Sequence, residues 1–178
     1  MIEAVITIPS PETPYAAHQA VWNLVGRDSG ASRDFLFRVR DTGRPGVSLV
    51  KLRSCRLPVQ GVEVVAPVAG GLYRFSVLVN PVRRGDRGER PLRREGEVRE
   101  WLNERLERGG MVMKSCVVEF LPSVELGKPQ HRGRIHTVEI IGTVEIVDAD
   151  KAFHTLTHGI GRARSMGYGL IELEVCHG

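Results

Sequence analysis

The stretch "TVEIIGTVEIVDADKAFHTLTHGIGRARSMGYGLIELEV", Thr137 to Val175, decides the fold. The segment Ile135 to Asp148 is β-branched and reads as a long strand, with Gly142 as a bulge or bend. "DADKAFHTLTHG", Asp148 to Gly159, reads as a helix with an aspartate near its cap and a glycine at its end. "YGLIELEVC", Tyr168 to Cys176, alternates as a closing strand. Between that helix and that strand stand Gly159, Gly161, Gly167 and Gly169, together with Arg162, Arg164 and Ser165.

The same grammar extends towards the N-terminus. "GLYRFSVLVNP", Gly71 to Pro81, alternates as a strand. "GEVREWLNERLERGG", Gly96 to Gly110, sets Val98, Trp101, Leu102 and Leu106 at helical spacing. "MVMKSCVVEFLPSV", Met111 to Val124, is a long strand, and "KPQHRGR" is a polar turn. The order β-α-β-β-α-β is the ferredoxin-like split motif, shared by RNA-recognition motifs. An earlier round is shorter. "IEAVITI" is a strand, and "TPYAAHQAVWNLVG" a helix with Thr13 as cap, Pro14 at its first position and Gly26 at its stop. "FLFRVR" (Phe35 to Arg40) and "GVSLVKLRS" (Gly46 to Ser54) are strands joined by "DTGRPG", and "VEVVAPV" (Val62 to Val68) is a short fourth. Its second helix is missing or very short. The expected fold is α+β, with two tandem ferredoxin-like domains, residues 1–69 and 70–178, the first reduced.

The chain has 178 residues, 42% of them hydrophobic, enough for one ordinary domain or two small ones. It has no stretch of about 18 apolar residues and no secretion signal at "MIEAVITIPSPE", so no membrane association is expected. Cys55, Cys116 and Cys176 are scattered and odd in number, which fits reduced thiols in the cytoplasm and no metal spacing. The net charge of +4 is modest, yet "RRGDRGERPLRR", residues 83–94, carries six arginines against Asp86 and Glu89. Two readings of this segment stand, a solvated loop and a polyanion contact in which guanidinium groups grip phosphates.

The glycine loop follows a helix and precedes a strand, the reverse of a nucleotide-binding fingerprint, and it has no "GK[ST]". A helix cap accounts for Gly159 alone. The other reading is a backbone that passes close to a ligand, with Arg162 and Arg164 supplying charge. On the first helix, Ala17, Val21, Leu24 and Val25 form the expected core face. Tyr15, His18 and Trp22 form a separate stripe, roughly 110° away. Tyr15 and His18 at i, i+3 lie one above the other and suit general acid–base work as well as a plain half-buried flank. His154 and His158 have a metal-compatible i, i+4 spacing without the acidic residue a metalloprotease places between them. No cluster of carboxylates suggests a metal-dependent nuclease.

These residues resemble the CasE family, the repeat-RNA-processing endoribonucleases of the type I-E CRISPR Cascade complex. "YAAHQAVWNLV" looks like the family's first helix, "FLFRV" like its second strand, and "FSVLVNPVRR" like the strand that opens its second domain. The Thr137–Val175 stretch resembles its last strand, helix, loop and strand. Three features depart from the pattern. The first domain is short between Cys55 and Gly70, Arg164 stands where relatives often have lysine, and "RGGMVM" replaces a glycine–aromatic pair.

The resemblance implies an endoribonuclease that needs no metal or other cofactor. It would cut precursor CRISPR RNA at the base of a repeat hairpin, through the RNA's own 2′-hydroxyl, and keep the product bound beside other Cascade subunits. His18 would be the acid–base residue and Tyr15 its partner at the scissile phosphate. Arg162, Arg164 and Ser165, the backbone at Gly159, Gly161 and Gly167, and Arg83, Arg84, Arg87 and Arg90 would contact the RNA. The alternative is a non-catalytic RNA-binding subunit of the same kind of complex.

Overall fold

The computed structural model of the chain describes residues 1–26, 34–57, 59–85, 88–128 and 133–176. The N-terminal half comprises β1 (Ile2–Pro9), α1 (Pro14–Val25), β2 (Phe35–Asp41), β3 (Val47–Ser54) and a two-residue β4 (Val62–Glu63). These strands form one sheet in the order β2-β3-β1-β4. The C-terminal half comprises β5 (Leu72–Val79), β6 (Val82–Gly85), β7 (Gly88–Pro91), α2 (Glu95–Arg108), β8 (Met111–Phe120), β9 (Val124–Glu125), β10 (Arg134–Ile135), β11 (Val138–Ile146), α3 (Ala149–His158) and β12 (Ile171–Val175). Its main sheet runs β12-β5-β11-β8. In each half the fourth main strand lies beside the first, and the third lies between the first and the second. Every pairing in these two sheets is antiparallel. That is the ferredoxin-like order in both halves, and no helix lies between β3 and β4 among the described residues.

Local chemistry explains the elements. The Ala16 amide donates to the Thr13 hydroxyl at 3.1 Å, Pro14 opens α1, and Gly26 ends it at φ 87°. The Lys151 amide donates to Asp148, which caps α3. In β2, Phe35 and Phe37 point into a core with Ile8, Ala17, Val21, Val50 and Leu52. The second core gathers Phe75, Val77, Trp101, Leu102, Ile140 and Ile171 between its sheet and α2 and α3.

Three expectations change. The fourth N-terminal strand stops at Glu63, and Val65 and Val68 are exposed. The bulge in β11 falls between Thr143 and Val144, one residue beyond Gly142; a Cβ at Gly142 would run into the Ser115 carbonyl and the Phe75 ring. The arginine-rich segment forms a β-hairpin, with Val82 paired to Pro91 and Arg84 to Glu89. The polar turn "KPQHRGR" falls mostly outside the described residues.

Strand alternation sends the other face of the N-terminal sheet towards the C-terminal half. Arg38 is 6% exposed, and its guanidinium donates to Ser76 at 3.2 Å, to Glu172 at 3.3 Å and to Glu139. Arg53, 4% exposed, donates to the carbonyls of Leu156 at 3.0 Å and Ile171 at 2.7 Å. The Tyr15 amide, in the first turn of α1, donates to the Leu126 carbonyl at 3.1 Å. The two halves therefore meet through buried polar contacts as well as through packing.

Candidate RNA-cleavage site

Two segments from opposite ends of the chain meet at the junction of the halves. The first is α1. The rings of Tyr15 and His18 have centroids 6.2 Å apart, and His18 lies 5.7 Å from Trp22 and 6.1 Å from Phe35. Trp22 packs edge-on against Phe35 at 5.4 Å. All three residues of the expected stripe are thus half-buried, His18 and Trp22 against Phe35 at the start of β2. Leu24, placed on the core face by periodicity, is exposed instead, because only Ala17 and Val21 of α1 are fully buried.

The second segment is the glycine loop. Gly159, Gly161, Gly167 and Gly169 all have positive φ, as does Ala163, and Arg164–Met166 form a single 3₁₀ turn. This turn contacts both α1 and β2, so the loop lies against the helix that carries Tyr15 and His18. Protein fills the space around these glycines. A Cβ at Gly159 would meet the Gly169 carbonyl at 2.7 Å and Leu36 at 3.0 Å, and one at Gly167 would meet the Phe37 ring at 2.9 Å. Gly159 and Gly167 therefore let the loop pack onto β2, and Gly161 lets it pack onto Trp101 of α2, a role that their spacing in the sequence does not distinguish from approach to a ligand.

The loop's polar groups are arranged by neighbours. Arg162, 58% exposed in its side chain, pairs with Glu89 of the hairpin at 2.5 Å and forms an isolated bridge with Asn80. Arg164 donates to the carbonyl of His158, at the end of α3, at 2.8 Å. Ser165 is half-buried in the 3₁₀ turn. In the hairpin, Arg83 pairs with Glu100 at 2.8 Å and Glu104 at 3.4 Å, and Arg90 with Glu97 at 3.0 Å. The hydrogen bond to Glu100 raises the Arg83 pKa, and that from Arg90 lowers the Glu97 pKa. Arg84 is exposed, and Arg87 lies outside the described residues. Much of the segment's charge excess is therefore matched by the acidic flank of α2.

A cleft of about 480 Å³ runs beside this junction, lined by Thr13, Pro14, Ala17, Met166, Gly167 and Tyr168. Neither Tyr15 nor His18 lines it. His154 and His158 stack at 3.8 Å on α3, and no group of three metal-ligating side chains occurs among the described residues. Sequence reasoning missed Arg38, Arg53 and Glu172, which lock the two halves around the site; a charged residue amid an apolar strand, as in "FLFRVR", was the available signal.

A family model described as CRISPR associated protein matches residues 9–174, nearly the whole chain. The chain belongs to the CRISPR-associated CasE family. It is 31% identical to the Cascade subunit CasE of Escherichia coli K12, over 89% of this chain and 90% of that protein. It is 29% identical to the CRISPR-associated endoribonuclease Cse3 of Thermus thermophilus, over 58% of this chain and 56% of that protein. The crystal structure of Cas6e from E. coli K-12 superposes with a TM-score of 0.79 at 25% identity, covering 99% of this chain and 100% of that one. Thermus thermophilus Cse3 bound to an RNA representing a pre-cleavage complex shares the fold, with a TM-score of 0.77 at 23% identity, covering 98% and 100%. The family match and the shared fold thus extend over nearly the whole chain.

Proposed function

We propose that this protein is a metal-independent endoribonuclease that cleaves precursor CRISPR RNA within the repeat, at the base of a hairpin, and keeps the product for assembly into Cascade in the cytoplasm. The observation that carries the reading is the packing of α1, with Tyr15 and His18, against the Arg164–Met166 turn of the glycine loop. The curated relatives, a Cascade subunit and an endoribonuclease, support the substrate class. In this reading residues 1–69 carry the acid–base pair, and residues 70–178 carry the arginine hairpin and the glycine loop.

The chemistry follows from the groups present. The 2′-hydroxyl beside the scissile phosphate attacks phosphorus, and the 5′-oxygen leaves, which gives a 2′,3′-cyclic phosphate and a 5′-hydroxyl. His18 moves the proton, a contribution of about 10²–10⁴-fold. Tyr15 orients the phosphate beside it, and Arg162 and Arg164 hold backbone phosphates near the reacting one. A-form stems offer no readable major groove, so the hairpin is gripped by shape and phosphate, the task for which exposed Arg84, Arg90 and Arg162 are suited.

The test is incubation of purified protein with repeat RNA in EDTA. Cleavage is expected, with a cyclic-phosphate end, slower by about 100-fold or more for His18→Ala and abolished by 2′-deoxyribose upstream of the cut. The product is expected to co-elute with the protein. Tight binding without cleavage, unaltered by His18→Ala, would instead mark a non-catalytic RNA-binding subunit.

A further inference from the structure

Beyond the junction, the ends of α2 and α3 enclose a second recess. It holds about 290 Å³ and is lined by Arg105 and Arg108 from α2, Lys151 and His154 from α3, and the backbone of Gly159 and Gly161. The Arg105 guanidinium sits over the Trp101 ring, its Cζ 3.9 Å from the centroid, and donates to the Trp101 carbonyl at 2.8 Å. These contacts fix a half-buried guanidinium without neutralising it, and the carboxylate it pairs with, on Glu104, is 4.0 Å away. Burial lowers the Arg105 pKa; Glu104 opposes this, and the like charges of Arg108 and Arg83 add to it. Arg108 is exposed and makes no ion pair or side-chain hydrogen bond among the described residues. Lys151 is held by Asp148 at 2.8 Å.

Arg105, Arg108 and Lys151 thus line one recess whose lining includes no carboxylate, and of the three only Lys151 is closely paired. The like charges of Arg105 and Arg108 repel, and a bound anion relieves this. A planar guanidinium pinned on an aromatic face is also pre-organised for a phosphate's oxygens. The recess shares Gly159 and Gly161 with the glycine loop, and Arg164 reaches the His158 carbonyl beside the stacked His154. It is therefore continuous with the loop that packs on α1.

We infer that the Arg105–Arg108–Lys151 recess binds a backbone phosphate of the RNA, separate from the reacting one, and so extends the grip across the ends of α2 and α3. This rests on the RNA-processing reading above.

The experiment measures binding of fluorescent repeat-hairpin RNA over a series of salt concentrations. Wild type is compared with Arg108→Ala, Arg108→Glu and, as a control of equal charge change outside the recess, Lys114→Ala. Arg108 is exposed, so the variants should fold, and circular dichroism checks this. Removing one phosphate interaction lowers the slope of log K against log salt by about 1. The expected result is that drop for Arg108→Ala, a weaker complex again for Arg108→Glu, and a wild-type slope for Lys114→Ala. Equal slopes for wild type and both Arg108 variants would overturn the site, as would an equal drop in Lys114→Ala. If wild type binds no repeat RNA, the functional reading itself fails and this site falls with it. A site for free phosphate in place of RNA would appear as a rise in Tm with inorganic phosphate, absent in Arg108→Ala, alongside unchanged RNA slopes, and that too would overturn the proposal.

Discussion

Arg38 and Glu172, 134 positions apart in the chain, meet at 3.3 Å across the junction of the two halves. Glu172 also accepts from Arg40 at 2.5 Å and from Lys51 at 2.8 Å, and it is 9% exposed. One carboxylate on the last strand therefore holds three cations of the N-terminal sheet. Removing one partner of a buried ion pair leaves uncompensated charge and costs about 3–5 kcal/mol. Glu172→Gln should lower unfolding stability by an amount of that order in urea titrations. Arg40→Ala, at a half-exposed side chain, should cost about 1 kcal/mol or less. Equal effects would show that the charge on Glu172 matters little.

The same carboxylate sets an acid limit. Burial pushes the Glu172 pKa up, but the hydrogen bond and charge of Lys51, with the charges of Arg40 and Arg38, outweigh it and hold the pKa below the usual value. The folded form then takes up this proton less readily than the unfolded chain. Its contribution is complete above about pH 4.3, the unfolded value, and is lost as pH falls through the lower native value. Stability of the wild type should fall on acidification below about pH 4, with a shallower fall in Glu172→Gln. Parallel curves would exclude Glu172 as a source of the acid dependence.

Glycines with the same backbone twist should differ sharply in tolerance. Gly43 has φ 70° and nothing within 4 Å of where a methyl would stand, whereas a methyl on Gly169, φ 77°, would run into the Ile160 carbonyl. Gly43→Ala should cost about 1–2 kcal/mol, the left-handed penalty alone. Gly169→Ala should force the two ends of the loop apart at Ile160 and also remove cleavage, read as loss of product under saturating protein. Equal behaviour of the two variants would argue against tight packing of the loop.

Glu89 competes for a cation that the functional reading assigns to RNA. It holds Arg162 at 2.5 Å. Glu89→Gln should tighten repeat-RNA binding several-fold and steepen its salt dependence, since Arg162 no longer has to leave a carboxylate. Unchanged affinity would mean that Arg162 keeps its place on the hairpin when RNA binds.

The parts of the fold legible in the sequence are those written in local chemistry. Thr13, Pro14 and Gly26 bracket α1, and Asp148 and Gly159 bracket α3, because caps act on neighbouring residues. The β-α-β-β-α-β order of the main elements in the C-terminal half follows from its strand runs and helical spacings. Periodicity places Val62 to Val68 in one strand, yet pairing with β1 ends at Glu63, and the Val68 amide instead donates to the Tyr73 hydroxyl at 2.9 Å. Tyr15, His18 and the glycine loop stand out as residue types, and their meeting is visible only through the family likeness. The Arg38–Glu172 contact is illegible: alternation shows that Arg38 faces away from its own core, but not which carboxylate it will find.

With α1 as the only helix of its own half among the described residues, the sheet β2-β3-β1 uses the C-terminal half as its opposite layer, through Arg38, Arg53 and Leu36. The N-terminal half is in that sense a layer more than a module. Limited proteolysis should release no stable N-terminal fragment, and calorimetry should record a single melting transition for the whole chain.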